Sequence, residues 1–196
     1  MIIKLMETGD ILLFQSNFSG IFGWWGWLIS KITRSQWTHV AIVLKNPLFL
    51  NKSYTGLYVL ESGSEPWADN WGVMISPLDQ ILETKFYKKI VTRKLFWNIK
   101  THDMEIVYNT IKDKKYNTNI IDLIGNEFEN KLLADPKQAN KFICSSLVAY
   151  IYSALDIFSN ETKWFYYQPW HFSEQNKNLI FKNGHLGPEE NINLCN

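Results

Sequence analysis

The order of hydrophobic patterns along the chain limits its fold more than any other feature of the sequence. The first half contains short apolar runs, rich in β-branched residues and bounded by turn residues, which predict strands. The second half changes to helical spacing, in residues 101–116 and again in residues 144–155. Strands that come first and helices that come later predict an α+β fold rather than alternating βαβ units. The predicted strand runs are residues 9–14, 38–44, 57–62, 73–75 and 88–96.

Two of these runs predict a local pairing. Residues 38–44 and 57–62 are separated by KNPLFLNKSYTG, whose Asn, Pro and Gly residues favour turns, so we expect an antiparallel pair. After the run at 73–75, Ser76 is the predicted N-cap of a short helix whose first residue would be Pro77. The tail after the last helical pattern predicts loops.

Length and composition fit one folded domain over residues 1–196, with 46% hydrophobic and 20% charged residues. The formal net charge of +1 gives no field that would favour nucleic acid as a partner. The two cysteines, Cys144 and Cys195, are too few for a disulfide scaffold or an all-Cys zinc site. No Cys/His pair stands at ligand spacing, so we expect neither a metal nor another cofactor.

The ends and the most apolar segment bear on location. MIIKLMETGD lacks the apolar run and cleavage site of a signal peptide, so we expect a cytoplasmic protein, or one of the host cytoplasm or virion if the chain is viral. Residues 18–30, FSGIFGWWGWLIS, are shorter than the ~20 residues of a transmembrane helix and contain three glycines. Ile21, Trp25, Leu28 and Ile32 share a helical stripe, which predicts a core-packing helix, with peripheral membrane contact as the alternative.

His39 and Glu61 are the first pair of candidate functional residues. Side chains alternate along a strand, so His39 shares a face with Ala41 and Val43, while Glu61 shares one with Val59. A carboxylate on a core-facing side needs a partner, because burying it unpaired is costly. An imidazole on the adjacent strand would be such a partner, and the carboxylate would then fix its tautomer and stabilise the imidazolium. The alternative is that these are two unrelated residues at strand ends.

Cys144 stands at the start of the apolar helical pattern KFICSSLVAYIY. A cysteine on an apolar helix is usually inert packing, and that is the alternative here. However, Pro136 and the candidate N-cap Asn140 place Cys144 in the first turns of the helix. There the helix dipole favours a thiolate, and the free backbone amides can bind an oxyanion.

The order of these motifs resembles a known family. GDILLF, WTHVAIVL, YVLESG, GVMISPL and FICSSLVAYIY occur in the order seen in the permuted papain-like hydrolases, the YiiX-type branch of the NlpC superfamily related to lecithin:retinol acyltransferase. The resemblance runs from about Gly9 to Phe172. It implies a circularly permuted papain-like (NlpC-type) fold, with an antiparallel sheet packed against a Cys-bearing helix.

The same resemblance implies a role for each candidate residue: Cys144 as nucleophile, His39 as general base and Glu61 as the acid that orients it. Two positions depart from the family pattern. Ser146 stands where an acidic residue is frequent, and His171, in PWHF, stands where an acid is expected.

These observations predict a cysteine hydrolase of the thiol peptidase or amidase type that cleaves an amide or isopeptide bond. The first alternative is a lipid acyltransferase or phospholipase that uses the same triad, with residues 18–30 at the lipid surface. The second is a non-catalytic module that binds acyl chains or peptides. The expected partner is therefore a peptide, amide or lipid-ester substrate, and the sequence leaves the oligomeric state open.

Overall fold

A computed structural model describes residues 2–17, 30, 35–50, 54–63, 72–116, 141–159 and 161–193. The Trp-rich segment 18–30, apart from Ser30, lies outside the described residues, as do Asn140 and Cys195.

The fold is α+β, as predicted, and is built on one mixed sheet of eight strands in the order β7-β6-β4-β3-β2-β1-β5-β8. All described pairings are antiparallel except that of β6 with β7, which is parallel and corrects the expectation of a purely antiparallel sheet. The strands are β1 (Ile11–Ser16), β2 (His39–Lys45), β3 (Leu57–Gly63), β4 (Gly72–Pro77), β5 (Tyr87–Leu95), β6 (Lys115–Tyr116), β7 (Lys141–Phe142) and β8 (Leu186–Ile192).

The five predicted strand runs are confirmed as β1 to β5, with shifts of no more than two residues at their ends. Two further findings correct the sequence analysis. The tail predicted as loops contains β8, which pairs with β5. Ser76 and Pro77 are still paired with β3, opposite Val59 and Tyr58, so the following helix begins one residue later than predicted and Pro77 occupies its N-cap.

Helices lie on both faces of the sheet. The larger core contains sheet residues such as Ile11 and Ile42, which are cross-strand partners, together with apolar side chains of the two longer helices. The smaller core, on the opposite face, contains Phe14, Ala41 and Val59 and is covered by the short helix. The described helices are α1 (Leu78–Glu83), α2 (Thr101–Ile111) and α3 (Cys144–Ala154), with 3-10 turns at Ile2–Leu5, Trp164–Tyr166 and Pro169–Phe172.

Helix α2 confirms the predicted apolar stripe, because Met104, Val107 and Ile111 are buried in the larger core and Tyr108 packs against it. Helix α3 packs against β2 and β3, which brings its first turn near the strands that carry His39 and Glu61. Within the part of the chain that the structure describes, no helix has the length and apolar character needed to cross a bilayer.

Candidate active site

Strands β2 and β3 bring His39 and Glu61 onto one face of the sheet. Ile42 lies opposite Leu60 in the register, so the two candidate residues are diagonal neighbours on the face that carries Ala41 and Val59. The His39 Nε2 atom lies 2.6 Å from Glu61 Oε2, which is a short hydrogen bond for an N–H donor and a carboxylate. The predicted pairing of these two residues is thus present in the structure.

Burial makes this pair strong. His39 is 9% exposed and Glu61 1%, so solvent does little to screen the interaction. The second carboxylate oxygen, Glu61 Oε1, is buried and has no hydrogen-bond partner among the described residues. A buried carboxylate oxygen without a partner is costly, which increases the dependence of Glu61 on the charge of His39.

Cys144 is the first residue of α3, so its side chain sits where the helix begins. The chain reaches this point through β7, and Ser62 Oγ donates a 2.9 Å hydrogen bond to the Phe142 carbonyl. After Cys144, Ser145 Oγ donates a 2.6 Å bond to the Tyr167 carbonyl. Strand β3 therefore carries Glu61 on one face and, through Ser62 on the other, fixes the approach to Cys144.

The helix N-terminus is capped differently from the prediction. Ile143 occupies the N-cap, and its backbone N–H donates to Ser146 Oγ at 3.0 Å, while that hydroxyl donates to the Ile143 carbonyl at 3.0 Å. Ser146 stands three residues after the N-cap, the position of the reciprocal partner in a capping box. The serine that departs from the family pattern thus holds the turn that presents Cys144.

Replacing this serine gives a measurable effect on stability. Ser146→Ala is expected to lower the free energy of unfolding by about 1 kcal/mol, because the Ile143 N–H loses its acceptor. Ser146→Asp should retain most of the wild-type stability, since a carboxylate accepts the same hydrogen bond and its negative charge is favourable at a helix N-terminus. Ser153→Ala, which removes only a bond to the Ala149 carbonyl inside α3, is the control. Equal losses for both alanine variants in urea denaturation would contradict the capping role.

The His39 imidazole interacts with both neighbours. Burial is the largest single influence and by itself lowers the pKa of His39, but charge and a side-chain hydrogen bond with Cys144 raise it. The hydrogen bond and charge of Glu61 raise it further, and the pKa of His39 lies well above its ordinary value of 6.5. Since Nε2 is bonded to Glu61, Nδ1 is the ring nitrogen that remains available for the interaction with Cys144. The structure thus places both Glu61 and Cys144 beside the His39 imidazole.

The remaining described histidines lie apart from this group. His171 Nδ1 accepts a 2.8 Å bond from the Gln168 backbone N–H, and burial lowers the pKa of His171 to about 4. It is therefore neutral near pH 7 and cannot replace the acid expected at that position. His185 stacks on Phe96 at 4.7 Å, and His102 lies 3.9 Å from Glu105 on the surface of α2.

Two aromatic residues near His39 were missed by the sequence analysis. The centroid of the Phe14 ring lies 5.2 Å from that of His39, and the Tyr87 ring is nearly parallel to the imidazole at 6.4 Å. Phe14 could have been found, because β1 pairs with β2 and places it directly opposite His39. Tyr87 could not, because an irregularity in the pairing of β1 with β5 decides which face it occupies.

The fold and the site together define an α+β protein with a buried His–Glu pair and a cysteine at the N-terminus of the adjacent helix. In the described ranges, no three or more His, Cys, Asp or Glu side chains are grouped so as to hold a metal ion. No protein-family model matches the chain, and no curated protein matches it. Among solved structures, it is similar to the crystal structure of the metalloprotein yiiX from Escherichia coli O157:H7, with 16% identity and a TM-score of 0.49 over 96% of this chain and 97% of that one.

Proposed function

We propose that this protein is a cysteine hydrolase with a circularly permuted papain-like (NlpC-type) fold, in which Cys144 attacks an amide or isopeptide carbonyl. The observation that carries the proposal is the shared imidazole: His39 bonds Glu61 through Nε2 at 2.6 Å and also interacts with Cys144. A nucleophile beside a base, with a third group orienting the base, is the arrangement that nucleophilic catalysis requires.

The first half of the reaction forms an acyl-enzyme. His39 Nδ1 takes the Cys144 thiol proton, and the sulfur attacks the carbonyl carbon of the substrate. The oxyanion that develops is bound by backbone N–H groups in the first turn of α3, which have no acceptor within the helix. The carbon–nitrogen bond then breaks, and His39 gives its proton to the departing amine.

The second half returns the enzyme to its starting state. His39 accepts a proton from a water molecule, and the resulting hydroxide attacks the thioester carbon. The carbon–sulfur bond breaks, the carboxylic acid leaves, and the Cys144 thiol regains its proton. Throughout, Glu61 holds the ring so that Nδ1 faces the sulfur, and its negative charge stabilises the imidazolium.

Alkylation of Cys144 tests the activated nucleophile without requiring a known substrate. In a Cys195→Ser background, we expect iodoacetamide to label Cys144 at pH 6 about 10 to 100 times faster in the wild type than in His39→Ala. An ordinary thiol, with a pKa near ~8.5, is almost entirely protonated at that pH, whereas a thiolate paired with an imidazolium is not. Intact mass measured over a series of pH values follows the reaction.

The matched control is His171→Ala, which removes a half-buried imidazole that is not part of the triad. That variant should label as the wild type does. Slow labelling of the wild type at pH 6, rising only as the pH approaches that of a free thiol, would contradict the proposed function. So would rates that are the same with and without His39.

A further inference from the structure

A β-bulge lies in the strand pair next to His39. Strand β1 pairs regularly with β5 as far as Gln15 opposite Lys89, and then Ser16 lies opposite Tyr87, so Lys88 is passed over. In a regular strand, Lys88 would share the face of Ile90 and Tyr87 would point to the other side. Bulges next to active sites commonly re-aim one side chain in this way.

The result of the bulge is visible in the burial of these residues. Tyr87 is 8% exposed and belongs to the smaller core together with Ile90, while Lys88 is exposed. A lysine on that face would bring a second positive charge towards His39, which disfavours the imidazolium. The bulge therefore replaces a cation with an aromatic ring beside the proposed base.

Three neighbouring strands thus carry a row of rings on one face. Phe14, on the middle strand, lies with its centroid 5.2 Å from His39 at an interplanar angle of 54°. Tyr87 also packs against Phe14, with centroids 4.6 Å apart. The Phe14 distance is within the ~6 Å at which an aromatic ring attracts a cation, whereas Tyr87, at 6.4 Å from His39, lies just beyond it.

We propose that Phe14 is a positioning residue for the His39 base, and that Tyr87, turned inward by the bulge, holds Phe14 in place. Phe14 fixes the plane of the imidazole between Glu61 and Cys144 and stabilises its protonated form. This inference rests on the proposed function, since it concerns the base of that same site. It adds a determinant that lies outside the triad.

Among the residues that the structure describes, the charged and titratable groups that face His39 come from three elements. Glu61 lies on β3, Cys144 begins α3, and Tyr87 contributes a phenol from β5. Phe14 on β1 also contacts the imidazole, but its side chain has no charge and does not titrate. A change at Phe14 therefore alters the surroundings of the imidazole without removing a charge.

The sign of the effect separates this role from simple packing. If Phe14 stabilises the imidazolium, Phe14→Leu lowers the pKa of His39 by about 0.5 to 1.5 units, roughly a 3- to 30-fold change in proton affinity. If the ring only fills space, its loss admits water, relieves desolvation and raises that pKa or leaves it unchanged. Tyr87→Leu should lower the pKa of His39 by a smaller amount, because Tyr87 acts only through the position of Phe14.

The experiment is an NMR titration of the imidazole Cε1–H signals of the full chain, with the His39 signal assigned from His39→Gln. Val43→Ala, a packing loss in the same core on the same strand as His39, is the control and should leave the pKa as in the wild type. A lowered pKa in Phe14→Leu or, if that variant does not fold, in Tyr87→Leu supports the proposal. An unchanged or raised pKa overturns it.

The wild-type curve keeps this test distinct from that of the proposed function. If His39 titrated at its ordinary pKa in the wild type, the paired imidazole on which the hydrolase proposal depends would be contradicted. A raised wild-type value that Phe14→Leu does not lower would overturn only the role of Phe14.

Discussion

A Cys144→Ala variant is expected to lose hydrolysis by a factor of about 10⁴ to 10⁶ in kcat, while remaining folded. Removing the nucleophile from a catalytic group that acts as a unit costs nearly the whole effect of the unit, and the remaining rate comes from oxyanion binding. In this protein, the first-turn amides of α3 would still be present, because the replacement leaves the Ser146 cap untouched.

The measurement combines turnover with detection of the acyl-enzyme. Peptide amides, isopeptides and lipid esters are offered in parallel, and the intact mass of the protein is recorded during turnover. The wild type should gain the mass of the acyl group on Cys144, and the variant should not. All three substrate types would form a thioester at the same sulfur, so acylation can be compared directly between them. The type that acylates Cys144 distinguishes an amidase from an enzyme that acts on lipid esters.

Ser153→Ala is the control, since it lies in the same helix and more than two turns from Cys144. It should retain turnover within a factor of a few. Full turnover by Cys144→Ala on a substrate that the wild type hydrolyses would show that the sulfur is not the nucleophile. The cysteine would then be a packing residue of the larger core, to which it also belongs.

Local patterns predicted the centre of the fold well. Strands β1, β2, β3 and β5 are apolar, β-branched and bounded by turn residues, so their period is readable in the sequence. The same period placed His39 and Glu61 on one face, which the 2.6 Å contact between them confirms. Pairing of two adjacent strands and alternation along each are local properties, and they were sufficient for this part of the site.

Strand β8 shows what local patterns cannot supply. Its sequence, LGPEENI, contains a glycine, a proline and two glutamates, all of which are poor strand formers. It forms an edge strand because the tertiary structure holds it there: Arg93 on β5 donates to the Leu186 and Gly187 carbonyls at 3.2 and 2.7 Å. No feature within residues 186–192 predicts these contacts.

The surroundings of the triad were less predictable than the triad itself. The bulge that turns Tyr87 inward reverses the alternation that predicts which face a residue occupies, so strand periodicity places Tyr87 on the wrong side. The capping by Ser146 was missed for a different reason, since Asn140 is the better N-cap by residue type. In both cases, the geometry of neighbouring elements overrides a preference that is correct on average.

The His39–Glu61 pair is expected to make the stability of the fold depend on pH. The pKa of His39 is raised well above 6.5 in the folded protein by Cys144 and Glu61, despite burial. For His39 taken alone, the folded protein holds, between 6.5 and that raised value, a proton that the unfolded chain has released, and a proton that Cys144 gives up on folding cancels it. The stabilisation is therefore complete below about pH 6.5 and is lost as the pH rises through the folded value.

The slope is measurable by urea denaturation across the range. The free energy of unfolding should fall by up to about 1.4 kcal/mol per pH unit in the window where His39 alone titrates. Cys144→Ala should narrow this window, because the interaction with Cys144 is the largest of those that raise the pKa of His39. A wild type whose stability rises over the same window would contradict the charge assignment of the pair.

Removal of one partner is expected to have a larger effect than any change of pH. His39→Ala should cost about 3 to 5 kcal/mol near pH 7, because it leaves the buried Glu61 carboxyl group without its partner at Oε2. The other oxygen, Oε1, has no described partner to offset that loss.

The matched test is the double variant His39→Leu with Glu61→Met, which replaces the buried pair with apolar side chains of similar size. It should recover most of the lost stability, since apolar replacement of a buried ion pair is often neutral or stabilising, yet it should remain unable to activate Cys144. A double variant as unstable as His39→Ala would show that packing of the imidazole, rather than the unpaired carboxylate, is the cause of the loss.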